Sequence, residues 1–484
     1  MTKNTDKIFN FQNTYIDLNS HFFQKLDLLP ATKPEMVLLN EDLAKELGIN
    51  LNSSNHLLQV LSGSELDLNS EPIAQAYAGH QFGYFTMLGD GRTALLGEHL
   101  DAKNQRFDIQ LKGSGRTAFS RRGDGKATLK AMLREYLISE SMHHLGVPTS
   151  RSLAVVKTGE TVYRERSEEG AILTRVMSSH LRVGTFEFAR YYLQDELENL
   201  LNYTIRRHFP RLEEAENKAL ALLEKVMEVQ IDLVLNWERI GFIHGVMNTD
   251  NTSIVGETFD YGPCAFMEVY DPSTVYSSID TKGRYSFGNQ GAIIKWNLAR
   301  FAESLLPLID ENENQAIGMA SKILNQFDDI YNYNRMEMLL MKLGIDVPQE
   351  GDQQLVKDFL NLLYASKKEY NHSFTYLRLP DLYKNTSFEL GEEFDEWKSR
   401  WENRISKGEG RGRALSIMEK VNPVFVPTNF HVEEALEEGI RGDLSQLNEL
   451  LENVKYPYTY REEMQDFMFS PKGFDDNFQT FCGT

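Results

Sequence analysis

The chain has 484 residues, 51 Lys plus Arg against 71 Asp plus Glu, and a formal net charge of −20. That balance excludes a surface built to coat nucleic acid or an anionic membrane. Hydrophobic residues at 41% and charged residues at 25% describe an ordinary globular protein of roughly two to four domain-sized units. Two cysteines, Cys264 and Cys482, supply neither a disulfide framework nor a four-thiolate zinc site. The segment Met1–Lys7 lacks the apolar stretch of a secretory signal, and no apolar run approaches the ~18 residues of a membrane span. A cytoplasmic, reducing setting is expected.

Residues 1–70 read as an N-terminal extension. From 71 to 183 the texture is β-rich and glycine-rich. Nine glycines fall between Gly79 and Gly125, where an even spread would give about three. From Lys103 to Arg134 nine Lys or Arg face two acids, a local charge of +7. Phe107–Lys112 alternates apolar and polar residues as a half-buried strand does, and Gly113–Thr117 ends it as a turn. Leu129, Met132, Leu133, Tyr136, Leu137 and Met142 recur at helical spacing over 127–145. Strands are expected over Ser152–Val156, Thr161–Arg166 and Ala171–Met177, with Lys157–Glu160 as the turn between the first two. Beyond about 184 the pattern turns helical: Ala215–Ile240, Gly291–Ile309, most of 315–365 and most of 412–455. Residues 184–310 read as a helical lobe carrying the chemistry loops, and 311–484 as a helical extension ending near Cys482.

Three constellations carry chemistry. Lys112 ends a strand and Glu135 sits on the next helix, the placement by which kinases hold a phosphate-gripping lysine; the alternative is a surface ion pair. Gly89-Asp90-Gly91-Arg92 and Gly123-Asp124-Gly125-Lys126 let backbone N–H groups approach an anion beside a cation; the alternative is two ordinary Asp-Gly turns. Neither is a Walker A loop or a dinucleotide fingerprint. The third runs from His244 through Asp250 and Asn251 to Asp260-Tyr261-Gly262. Counted from the histidine, Asn251 and Asp260 fall where kinases place their metal-binding Asn and Asp, with oxygen donors suited to Mg²⁺ or Mn²⁺. Two short strands, Thr252–Val255 and Thr258–Phe259, are expected between them. The kinase base position holds Val246, which accepts no proton, and Asp250 is the carboxylate at hand. Adjacent His143 and His144 cannot both face one metal. The acidic pairs at 213–214, 433–434 and 437–438 read as solvated helix faces.

The motifs Gln75-Ala76-Tyr77-Ala78-Gly79-His80-Gln81-Phe82-Gly83, Leu88–Arg92, Gln110–Gly115, His244–Asn251, Asp260–Pro263 and Gly283-Arg284-Tyr285 together resemble the selenoprotein O family. The resemblance spans most of the chain and is densest over 71–300. It implies an α+β, bilobal, protein-kinase-like fold: a β-rich N-lobe, a mainly α-helical C-lobe and an extra helical C-terminal extension. It implies transfer of AMP, or UMP in some members, from ATP or UTP to Ser, Thr or Tyr hydroxyls of protein substrates, with no nucleic-acid or membrane partner. Carried onto this chain, Gly89, Gly91, Arg92, Lys112, Asp124, Gly125, Arg175, Arg182 and Asp260 would hold the nucleotide. Asp250 would accept the proton, Asn251 and Asp260 would hold Mg²⁺ or Mn²⁺, and Glu135 would orient Lys112. Cys482, near the end, would be redox-sensitive, although two reduced thiols are expected. The competing functions are a conventional kinase moving the γ-phosphate, which Val246 disfavours, and a non-catalytic nucleotide-sensing scaffold, which the retained Asn251 and Asp260 disfavour.

Overall fold

The computed structural model describes residues 7–384, 386–407 and 410–481. Among them, the N-terminal part is an antiparallel sheet with strand order β1-β3-β6-β7-β10-β9-β2. The strands are β1 (Phe23–Lys25), β2 (Glu35–Leu39), β3 (Ile73–Gln75), β6 (Thr93–Leu100), β7 (Arg106–Lys112), β9 (Arg151–Tyr163) and β10 (Ser167–Met177). A short β8 (Ala127–Thr128) pairs with β10, while β4 (Ala78–Gln81) and β5 (Tyr84–Met87) form a separate hairpin. Period two sets the two faces of β7. Ile109 and Leu111 pack with Leu43 and Leu57 of two short helices, α1 (Glu41–Leu47) and α2 (Ser54–Leu61), whereas Asp108, Gln110 and Lys112 are buried polar residues on the other face.

Helix α3 (Leu129–His144) starts at the Thr128 cap and packs Leu133 and Leu137 against Val155 and Leu173 of the sheet. The helical part begins with α4 (Val183–Tyr192), α5 (Leu197–His208), α6 (Lys218–Ile240) and α7 (Gln290–Ile309). Asn217 caps the start of α6, and Gly241, at φ 75°, ends it in the left-handed conformation that glycine adopts freely. The C-terminal helices are α8 (Glu313–Leu324), α9 (Phe327–Lys342), α10 (Asp352–Ala365), α11 (Tyr370–Arg378), α12 (Asp395–Lys407), α13 (Arg411–Val421), α14 (Asn429–Gly439) and α15 (Ser445–Val454). Phe359, Phe374 and the stacked pair Trp397–Trp401 anchor a second core among them. The result is the expected α+β architecture, a β-rich N-terminal part followed by a mainly helical part and a helical extension. Among the described residues, no helix is long and apolar enough to cross a membrane.

Three local expectations are corrected. The segment 157–160 is not a turn: β9 runs unbroken to Tyr163, and the hairpin turns at 164–166. Gly159, at φ 74° and pressed against Lys33, absorbs a register shift there without ending the strand. Residues 252–255 and 258–259 do not pair with each other. Ser253 bridges Arg182 and Thr258 bridges Thr149, and the short hairpin is instead β11 (Phe242–Ile243) with β12 (Ala265–Phe266). Two members of the acidic pairs are also engaged. Glu433 and Glu437 of α14 receive Lys130 at 2.9 and 2.6 Å, and Glu433 receives Arg134 at 3.0 Å.

Arg134, largely buried on α3, also donates to the Cys264 carbonyl at 2.6 Å. Among the described residues Cys264 is a free, fully buried thiol that donates to the Tyr261 carbonyl, and burial pushes its pKa up to about 12. Cys482 lies outside the described residues. Two predictions follow from this junction. Arg134→Ala should lower stability by about 1–3 kcal/mol because it leaves a buried carbonyl unpaired, whereas Lys130→Ala should cost under about 1 kcal/mol; thermal melts of the two variants read the difference. Iodoacetamide at pH 8 should leave Cys264 unmodified in the folded protein and alkylate it after denaturation, as peptide mass mapping would show.

Candidate active site

The site is assembled from the end of a strand, a helix and two loops. Lys112 closes β7 and is 2% exposed. Its ammonium bonds the Glu135 carboxylate from α3 and lies 2.5 Å from Asp260 Oδ1. Arg175, on the neighbouring strand β10, reaches the same two acids, at 2.6 Å to Asp260 and 3.2 Å to Glu135. Burial pulls the Lys112 pKa down against the pull of Asp260 and Glu135. Burial alone would raise the Asp260 pKa, but Lys112 and Arg175 outweigh it and hold this carboxyl well below the usual range. Asp260 sits at φ 64°, a left-handed conformation uncommon outside glycine, in a loop that enters the cleft by a sharp turn.

Asp250 also lines the cleft, in the short helical turn Thr249–Asn251 that follows β11. It is 8% exposed and its Oδ1 has no hydrogen-bond partner. Burial raises its pKa to about 6, opposed by Arg182 and reinforced by Asp260 and Glu187. Arg182 donates from Nη1 to the Asp250 carbonyl at 3.0 Å and stacks 4.0 Å above the Tyr77 ring. Asn251 donates its amide to the Val246 carbonyl at 3.0 Å, which leaves its amide oxygen for a cation. His244, the loop's first residue, is buried with Nε2 at 3.1 Å from the Phe259 carbonyl, tying this loop to the one bearing Asp260.

The two glycine-rich turns form the roof. Gly89 is at φ 142°, and a Cβ there would lie 2.3 Å from the Phe119 ring; one on Gly125 would lie 2.1 Å from the Gly115 carbonyl. Glycine is therefore required for each of these turns to pack against the 115–119 segment, whatever they hold. Asp124 receives Arg164 at 2.9 and 3.0 Å. Together Gly89, Gly91, Arg92, Lys112, Asp124, Gly125, Arg175, Arg182, Asp250, Asn251 and Asp260 line one cleft of about 450 Å³, while Glu135 sits behind Lys112. Every site residue singled out from the sequence thus meets at one place.

The +7 segment does not converge there as a whole. Lys112 and Lys126 line the cleft, but Arg106 pairs with Glu98, and Lys130 and Arg134 hold α14. Among the cleft residues to which the sequence gives no role are Gln110, which receives Arg175 at 3.4 Å, Tyr77 beneath Arg182, and Arg164. The strand alternation that places Lys112 also places Gln110 on its face. Among the described residues no three His, Cys, Asp or Glu side chains gather as a ready-made metal cage. Asn251 and Asp260 offer two hard oxygen donors, which fits an ion such as Mg²⁺ that takes one or two carboxylate-type ligands and completes its shell with phosphates and water.

Comparison with known proteins gives a consistent result. The family described as Protein adenylyltransferase SelO matches residues 7–455. The chain is 50% identical over 484 residues to a protein nucleotidyltransferase YdiU of Geobacillus kaustophilus, covering 99% of this chain and 100% of that one. A protein nucleotidyltransferase YdiU of Anoxybacillus flavithermus is 48% identical over 480 residues, covering 98% and 99%. Among solved structures, ROP2 from Toxoplasma gondii, described as having a protein-kinase fold and no enzymatic activity, covers 61% of this chain and 92% of its own. It does so at 11% identity and a TM-score of 0.24, a distance at which nothing is carried over. The chain belongs to the SelO family and is a nucleotidyltransferase.

Proposed function

We infer that the chain transfers a nucleotidyl group, AMP or UMP, from ATP or UTP to the hydroxyl of a Ser, Thr or Tyr in a protein. The observation that carries this reading is the largely buried Asp250 carboxylate, which lines the same cleft as Lys112, Arg92, Arg175 and Arg182. In the reading, the Asp250 carboxylate takes the proton of the acceptor hydroxyl. The hydroxyl oxygen bonds the α-phosphorus, the bond from that phosphorus to the bridging oxygen breaks, and pyrophosphate departs. Lys112, Arg92, Arg175 and Arg182 neutralise the phosphate oxygens, and of these Lys112, Arg175 and Arg182 are buried, where fixed charges act most strongly. Glu135 keeps Lys112 extended into the cleft. The loops at Gly89–Arg92 and Asp124–Gly125 close over the nucleotide. Asn251 and Asp260 would hold Mg²⁺ or Mn²⁺, which when bound supplies further positive charge to the phosphates.

Val246 separates this reading from a γ-phosphate kinase, because a valine at the usual base position leaves that geometry without a proton acceptor. The names of the relatives, protein nucleotidyltransferases, support the same choice.

Incubation with Mg²⁺ or Mn²⁺ and α-labelled or γ-labelled ATP tests it. Label should pass to protein from the α-position and not from the γ-position, and Asp260→Ala should abolish transfer. Asp250→Asn should lower kcat by about 10²–10⁴ with nucleotide affinity held within about threefold, since it removes a proton acceptor and keeps the side-chain shape. γ-Label on the protein, or near-native turnover by Asp250→Asn, would overturn the assignment.

A further inference from the structure

We propose that the β4–β5 hairpin and the outer end of α4 form the docking surface for the polypeptide acceptor, and that they take bulky apolar side chains flanking the modified hydroxyl. This rests on the reading above, in which a protein hydroxyl is presented to Asp250.

The hairpin pairs with no strand of the main sheet and is anchored to the Asp250 loop instead. His80 N–H donates to Thr249 Oγ1 at 2.7 Å, and Phe82 N–H donates to Asn248 Oδ1 at 3.0 Å. Gly79 lies so close that a Cβ there would sit 2.9 Å from Asp250 Oδ1. Gln81 and Phe82 line the cleft itself. In the hairpin register Phe85 lies opposite His80 and Tyr84 opposite Gln81. The aromatic tip is therefore about two to three residues of extended chain away from Gly79. Any polypeptide that places a hydroxyl at the Asp250 carboxylate carries its neighbouring residues to the border of this hairpin.

The surface waiting there is apolar. Residues 78–87 contain no Asp, Glu, Lys or Arg, in a chain of net charge −20. Tyr84 is 79% exposed and Tyr191 is 56% exposed, with Phe85, Met87 and Tyr192 also open to solvent. Three of these rings are held against one another: Phe85 packs on Tyr191 at 4.8 Å between centroids and stacks on Tyr192 at 6.4 Å. Exposed aromatics fixed by their neighbours lose little freedom on binding, which is why such side chains dominate recognition surfaces. The absence of charge from the hairpin selects an apolar flank over an acidic or basic one.

Two sets of synthetic peptides test this, each with a central Ser, Thr or Tyr, flanked in one set by Leu and Phe and in the other by Gly and Ser. With α-labelled ATP, the wild-type chain should label the apolar set with a kcat/KM at least about tenfold higher, a difference of about 1.4 kcal/mol. The double variant Tyr84→Ser/Tyr191→Ser should lose that preference with unchanged Tm and unchanged ATP affinity, and Tyr84→Phe should retain it. Equal labelling of both sets by the wild type, or a preference that survives the double variant, would overturn this inference alone. Labelling of neither set would overturn the parent reading and this inference with it. A dimer that dissociates in the double variant, seen by analytical ultracentrifugation, would assign the patch to a second copy of the chain and overturn it as well.

Discussion

Two cations and two carboxylates meet in one cluster in the cleft: Lys112, Arg175 and Glu135, all buried, and the part-exposed Asp260. None of the three buried groups could be left there alone, because an unpaired buried charge costs several kcal/mol. Such a cluster contributes little net stability, since desolvation offsets most of the attraction. What it enforces is arrangement. The strands must deliver Lys112 and Arg175, α3 must deliver Glu135, and the loop after β11 must turn at Asp260, or charges are stranded. Both cations and both acids are needed for neutrality, so the cluster makes one geometry of the cleft far better than its neighbours.

The same coupling explains why α3 is held from two sides. Its inner face packs on the sheet through Leu133 and Leu137. Its outer face is fixed by Lys130 and Arg134 to Glu433 and Glu437 of α14, and Arg134 reaches on to the carbonyl of Cys264, four residues past Asp260. Glu135, next in sequence to Arg134, is thereby fixed from the sheet, the C-terminal helices and the Asp260 loop together.

Much of this was legible in the sequence where a pattern was both long and periodic. The alternation of Phe107–Lys112 and the helical spacing that begins at Leu129 placed Lys112 and Glu135 on adjacent elements, and ordered motifs placed Asp250, Asn251 and Asp260 on loops. Short segments were misread. Thr252–Val255 has the composition of a strand, but its backbone partner, Arg182, is about seventy residues away in sequence and invisible to local pattern. Lys157–Glu160 has the composition of a turn, yet pairing with β10 carries the strand through it. Charge arithmetic was right in sum and misleading in destination. The +7 segment supplies the cleft with Lys112 and Lys126, but sends Lys130 and Arg134 to acids on α14. No count along the chain distinguishes a lysine waiting for an anion from one already matched to a glutamate three hundred residues later.

That separation along the chain has a bearing on when the protein can act. The loop carrying Asp260 is tied through Arg134 to Glu433, and Thr480 donates its hydroxyl to the Pro263 carbonyl at 2.6 Å. The residues that line the cleft are all made by position 279, yet the groups that fasten the loop emerge from the ribosome some 154 to 201 residues later. A nascent chain therefore carries the full set of cleft residues without the contacts that lock them. The order of synthesis keeps the finished centre for the finished chain.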